Sequence, residues 1–168
     1  MSLGLPQHKV LVVPYNPEWP LLYEREAQRL RNALGNLIVE IQHIGSTSVP
    51  GLSTKPILDL AIAIEDFEQG FDLIPALSDL GYVFRGEVGV SGRHFFTLGR
   101  PRTHHIHMYE TDSPNWKARI AFRDFLRNNP AKAKEYAELK ARLAAEFSED
   151  INAYSAGKQH FIEAIENA

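Results

Sequence analysis

The sequence predicts a mixed α+β fold, a mixed β-sheet flanked by helices with a helical C-terminal segment. Short β-branched and aliphatic runs alternate with helical periodicity up to about residue 110. After Ser113-Pro114 the pattern is helical throughout. The composition is that of a globular chain, with 44% hydrophobic and 23% charged residues over 168 positions. That length supports one substantial core, and we expect a single domain over 1–168, with a core at about 9–110 and a helical segment at about 113–168.

Residues 9–13 are β-branched, short and stopped by Pro14, which predicts a first strand. The Pro-rich segment 14–20 leads into a helix with Tyr23, Ala27, Leu30 and Leu34 at helical spacing, closed by Gly35. Residues 37–44 predict a second strand, and 45–56 a loop of small residues with two glycines and two prolines. Residues 57–64 predict the third and most apolar strand. Asp66 caps a helix expected to run to about Leu80, with Gly81 ending it. Shorter strands are predicted at 82–84, 94–98 and 103–109, joined as antiparallel hairpins. Three helices follow near 114–128, 131–147 and 151–166, the first two separated at Asn129-Pro130.

Composition also excludes chemistry. The chain has no cysteine, which removes disulfides, thiolate metal sites and thiol nucleophiles. Eighteen Lys and Arg against 21 Asp and Glu give a net charge of −3, so duplex nucleic acid is an unlikely partner. No apolar run reaches the roughly 20 residues of a membrane helix, and the N-terminal residues lack a signal-peptide core. No membrane partner and a cytoplasmic location are expected.

The chemistry concentrates around the third strand. Alternation puts Leu58, Leu60, Ile62 and Ile64 on one face and Asp59, Ala61 and Ala63 on the other. An acid beside two alanines either pairs with a neighbour or faces a ligand. The preceding turn, Gly45-Ser46-Thr47-Ser48, offers a tight backbone and hydroxyls suited to an anionic oxygen. Lys55 adds a cation shortly before Asp59.

The second strand, Gly-Ser, and an acid in an apolar strand after twelve intervening residues resemble the nucleotidyltransferase superfamily: Ile44-Gly45-Ser46, then Asp59-Leu60-Ala61-Ile62. Across nearly the whole chain, the segments VPYNPEWP at 13–20, HIGSTSVPGLSTKPILDL at 43–60, RTHHIHMYE at 102–110, FRDFLRNNP at 122–130 and AYSAGKQHFI at 153–162 resemble its GrpB branch. The resemblance implies a nucleotidyltransferase-like sheet, phosphate contacts at Gly45 and Ser46, and Asp59 as a ligand of Mg2+. The superfamily's second acidic position is Ala61 here, and Glu110 is the nearest candidate to replace it. Related domains also occur fused to a coenzyme A-pathway kinase, an adenine-nucleotide context.

A basic, histidine-rich half completes the expected site. Arg85, Arg93, Arg100 and Arg102 fall in one interval with His94, His104, His105 and His107. His105 and His107 share a strand face, an arrangement that suits phosphate contacts or a transition metal. Arg119, Arg123 and Arg127 line one stripe of the helix at 114–128, with Arg123 nearest its apolar edge. Lys158 sits within an apolar helix face formed by Tyr154, Phe161 and Ile162, so either its stem passes the rim or its ammonium reaches an anion.

The expectation is therefore a nucleotidyltransferase-like protein binding a nucleotide or phosphorylated small molecule, with Mg2+-dependent nucleotidyl transfer as its activity. Asp59, Lys55 and His107 are the expected catalytic residues. Gly45, Ser46, Thr47, Ser48, His105, Arg123 and Lys158 are the expected phosphate-binding residues, and Asp59 and Glu110 the expected metal ligands. Two alternatives stay open: a non-catalytic nucleotide- or phosphate-binding module, and a His-dependent metal hydrolase.

Overall fold

A computed structural model describes residues 3–168. Its centre is a five-stranded mixed sheet of β1 (Glu40–Ile44), β2 (Leu58–Ile64), β3 (Val83–Gly86), β4 (His94–Leu98) and β5 (His104–Glu110), in the order β1-β2-β5-β4-β3. β2 and β5 run parallel, and the remaining neighbours are antiparallel. The parallel pair places Asp59 opposite His105 and Ala61 opposite His107.

The two faces of the sheet differ as the alternation predicts. Leu58, Leu60, Ile62 and Ile64 join Phe96, Ile106 and Met108 in the main core. Helix α1 (Trp19–Leu34) lies on this face and buries Trp19, Tyr23, Ala27, Leu30 and Leu34. On the opposite face Ala61 and Ala63 meet Ile44, Tyr109 and Trp116. Trp116 belongs to α4 (Pro114–Asn128), whose first turn is capped by Ser113 accepting from the Trp116 amide. The small side chains let α4 approach closely over β1, β2 and β5. Helices α5 (Pro130–Glu146) and α6 (Ile151–Glu166) pack against α4 beyond it.

Three predicted elements change. Residues 9–13 form no strand of the sheet. Val13 makes an isolated bridge to Thr54 (2.8 and 2.9 Å), and the Val10 amide bonds the Ser148 carbonyl at 2.8 Å. The segment therefore ties the 45–56 loop to the helical segment, and Pro14 prevents a longer ladder. The second strand begins at Glu40, because residues 35–37 form a 3-10 turn (Gly35–Leu37) first. The helix expected from Asp66 to Leu80 splits into α2 (Gln69–Asp72) and α3 (Ile74–Asp79), since Pro75 donates no hydrogen bond and starts a second helix.

Candidate functional site

Asp59 projects from β2 on the alanine face, and β5 supplies its partners. His107 Nε2 lies 3.0 Å and His105 Nδ1 3.2 Å from the same carboxylate oxygen, Oδ1. Burial opposes ionisation of Asp59, but the two imidazole hydrogen bonds outweigh it and hold the carboxyl well below the usual range. Burial pushes His107 down, against the pull of Asp59. An ionised Asp59 therefore accepts from two rings. Arg93 Nη1 lies 3.3 Å from His107 Nδ1, and a donor there leaves the His107 proton on Nε2, facing Asp59.

The turn before β2 closes the other side of the carboxylate. Gly45 has φ +69°, and a Cβ at this position would stand 2.8 Å from Asp59 Oδ2. Both the backbone and the close approach require glycine. The 3-10 turn Ser46–Ser48 follows. Ser46 lines the cavity, but Thr47 and Ser48 point into the protein. Thr47 Oγ1 bonds His43 Nε2 at 2.9 Å, and Ser48 Oγ donates to the Gly45 carbonyl. These two hydroxyls brace the turn. Burial lowers His43 to about 4, so its ring is neutral in that bond.

The cavity is about 330 Å³ and lies between the sheet and the helical segment. Lys55 comes from the loop, Arg93 from the segment before β4, Arg119 from α4, Lys140 from α5 and Lys158 from α6. Asp59 is the one carboxylate lining it among the described residues. Lys140 is 1% exposed, and its Nζ has no hydrogen-bond partner. It sits 4.7 Å from the centre of the Tyr136 ring. Lys158 and Lys55 lie 4.5 and 5.5 Å from the Tyr154 ring. Burial lowers Lys140 well below the ordinary lysine value, and repulsion from Lys158 and Lys55 adds to it. Burial and then Lys55 bring Lys158 down to about 7.

The joint site of Gly45, Ser46, Lys55, Asp59, His105, His107 and Lys158 is thus assembled around one cavity. Four expected members are not in it: Thr47 and Ser48, which point inward and brace the turn, and Glu110 and Arg123. Glu110 pairs with Ile64, five residues along the ladder from the Asp59–His105 pair, and its carboxylate accepts from the Phe67 amide at 3.2 Å. Strict alternation on β5 carries it to the opposite face, so it is no ligand beside Asp59. Arg123 turns away from the cavity. It donates to Gln42 Oε1 (2.7 Å) and the His43 carbonyl (2.9 Å), and pairs with Asp124, pinning α4 to β1. The neighbouring Arg119 faces the cavity instead. His94 lies on the core face, where its Nε2 is 2.7 Å from the Phe67 carbonyl.

Sequence reasoning does not single out Lys140, yet the signal is the one that marks Lys158. Lys140 stands four residues after Tyr136 and three before Leu143, and all three are buried on α5. Tyr136 also faces the cavity beside Ser46.

A family profile described as GrpB protein matches residues 9–168. The chain belongs to the GrpB family. Its curated relatives include the UPF0157 protein YqkA of Bacillus subtilis, 41% identical over 162 residues, which cover 96% of this chain and 47% of YqkA. The Glutamate-rich protein GrpB of Alkalihalophilus pseudofirmus is 30% identical, covering 98% of each chain. The chain spans about half of YqkA and 66% of the Pseudomonas aeruginosa relative PA4798. A Dephospho-CoA kinase of Mycolicibacterium paratuberculosis matches at 25% identity over 43% of its length.

Among solved structures, GrpB from Enterococcus faecalis superposes with a TM-score of 0.87 at 40% identity, covering 94% of this chain and 95% of that one. The nucleotidyltransferase Cid1, solved with its short product ApU, superposes with a TM-score of 0.55 at 14% identity, over 87% of this chain and 48% of Cid1. The GrpB fold of this chain is therefore nucleotidyltransferase-like. No helix is long and apolar enough to cross a membrane among the described residues.

Proposed function

We propose that the cavity binds a nucleotide by its phosphates, and that lysine ammonium groups neutralise the charge. Lys140 carries this reading. A fully buried lysine without an acceptor is costly, and two further lysines nearby raise that cost. An anion between Lys55, Lys140 and Lys158 turns the mutual repulsion into attraction. Arg119 and the Gly45-Ser46 turn extend the cradle, and the product-bound relative in fold favours a nucleotide among phosphate esters. Asp59 holds His105 and His107 at the floor. His105 Nε2 is buried without a partner and offers a further polar contact.

Magnesium fits the protein's donor set poorly. One carboxylate is present, its Oδ1 is engaged by two rings, and nitrogen donors occupy the place of a second acid. Nucleotide binding is accordingly expected to persist in EDTA. Calorimetric titration of the whole chain with ATP, with EDTA and then with Mg2+, tests this. Binding in EDTA supports the reading, and no binding in either condition overturns it. Assay of the same mixtures for pyrophosphate decides whether nucleotidyl transfer accompanies binding.

A second reading rests on one observation. Asp59, His105 and His107 present three ligand atoms within 4.8 Å of one another, a set suited to zinc, manganese or iron and to the hydrolytic chemistry such metals support. Elemental analysis after dialysis against each metal tests it, and a stoichiometry near zero removes it.

A further inference from the structure

The nucleotide cavity opens onto a longer basic surface. It shares Lys55, Ile57 and His105 with a second cavity of about 260 Å³, which in turn shares Pro6, Gln7 and Arg102 with a third of about 650 Å³. The third lies beyond β5, where Arg85, Arg100 and Arg102 line it. Asp59 is the one acid lining any of the three among the described residues. Lys9 lines the middle cavity but is paired with Glu149. No other lysine or arginine along this run makes an ion pair among the described residues, whereas Arg29, Lys117, Arg123, Arg127, Lys132 and Lys134 elsewhere do. On a chain of net charge −3, most of the cations without an ion pair among the described residues lie along this path, with Arg25, Arg31 and Arg142 elsewhere.

The sheet supplies a floor for it. Asp59, His105, Thr97 and Val83 are successive register partners across β2, β5, β4 and β3. At about 4.8 Å per strand this row spans roughly 14 Å. Val83 is 47% exposed, so the outer end of the row is uncovered. Arg85 is exposed and donates Nε to Thr97 Oγ1 at 2.9 Å, which lays its guanidinium along the floor. Next to the row, the half-buried Phe95 ring packs under the Arg93 guanidinium, 4.5 Å from its centre, and beside His105 and His107.

We infer that this face binds a single-stranded nucleic acid, its backbone running from the cavity over β5 and β4 to Arg85, Arg100 and Arg102. Cations spaced along a groove with a single acid suit the phosphate backbone of a single strand. The narrow inner end beneath the helices has no room for a duplex. The inference rests on the nucleotide reading only for where the strand ends.

The test is fluorescence anisotropy of the whole chain with a short labelled single-stranded oligoribonucleotide over a salt series. The comparison variant is Arg85→Ala/Arg100→Ala/Arg102→Ala, with the charge-reversed pair Arg85→Glu/Arg100→Glu in case the triple variant unfolds. The expected result is binding by the wild type and a salt slope shallower by about 2 in the triple variant, at about 0.7 per lost phosphate contact. ATP affinity should stay unchanged in both variants. Absence of oligonucleotide binding, or equal binding by the variants, overturns the inference. So does equal competition by duplex RNA or by inorganic polyphosphate. Oligonucleotide binding without ATP binding overturns the nucleotide reading and leaves this one standing.

Discussion

Ala61 and His107 are register partners on β2 and β5. The position where the nucleotidyltransferase pattern has a second acid carries a methyl group, and the neighbouring strand sends an imidazole to Asp59 from directly beside it. The floor therefore carries one carboxylate, held by two rings. That arrangement favours anions above the floor and nitrogen-preferring metals on it.

Asp59→Asn separates these roles. Losing charge-assisted bonds to His105 and His107 is expected to lower stability by about 2 kcal/mol. ATP binding in EDTA should tighten, since the carboxylate no longer repels phosphate, while any zinc or manganese retained by the wild type should be lost. Chemical denaturation, calorimetry and elemental analysis read the three effects. A weaker ATP titration in EDTA contradicts the proposed charge arrangement.

Lys140→Met removes a buried, unpartnered ammonium and keeps most of the side-chain volume. We expect the variant to be more stable than the wild type by about 1–3 kcal/mol, because a polar group without a partner is replaced by an apolar one. ATP affinity should fall at least about tenfold, the equivalent of about 1.4 kcal/mol. A urea melt and a titration on the same sample check both. Unchanged affinity would make Lys140 a packing residue.

Proton uptake should accompany phosphate binding. Lys158 is lowered to about 7 by burial and by Lys55, so at pH 8 it is mostly neutral in the free protein. A phosphate favours its charged form, and the complex takes up a proton. Affinity is then expected to decline as pH rises above 7. Titrations in buffers of different ionisation enthalpy measure the uptake. Lys158→Arg, which stays charged, should reduce it. The same depression means that the unfolded chain holds this proton from about pH 7 to the ordinary lysine value of about 10.4, so Lys158's contribution to stability grows as pH rises across that window.

Gly45→Ala places a methyl group 2.8 Å from Asp59 Oδ2 on a backbone with φ +69°. A loss of about 1–3 kcal/mol is expected from the strained conformation alone. Asp59 must also shift away from His105 and His107, which should move the imidazole resonances in an NMR titration. A variant with wild-type stability and spectra would contradict the close approach.

Much of this site is legible in the residue order. The two faces of β2 follow from alternation, and the Gly45-Ser46 turn and Asp59 meet as their spacing suggests. Lys158 could be picked out because a lysine interrupts an apolar helix face. Arg123 and Glu110 sit elsewhere than the residue order predicts, for different reasons. A helical stripe gives the side on which an arginine lies but not which of two adjacent arginines reaches past the edge. Arg123 found the His43 carbonyl, and Arg119 was left facing the cavity. For Glu110 the alternation of β5 already pointed away from Asp59, and the parallel register with β2 places it at the far end of the strand. The failed strand at 9–13 is a case of tertiary context overriding propensity, because Thr54 and Ser148 offer it single contacts and no ladder.

The parallel pairing of β2 with β5 has a consequence during synthesis. His105 and His107 are separated from Asp59 by 46 and 48 positions, and Lys140 and Lys158 follow still later. While the chain emerges, Asp59 waits in an apolar strand without its imidazoles, and the lysines repel one another as the last helix closes. An anion of the kind proposed for this cavity, bound as the last helix closes, would offset that repulsion and stabilise the folded chain.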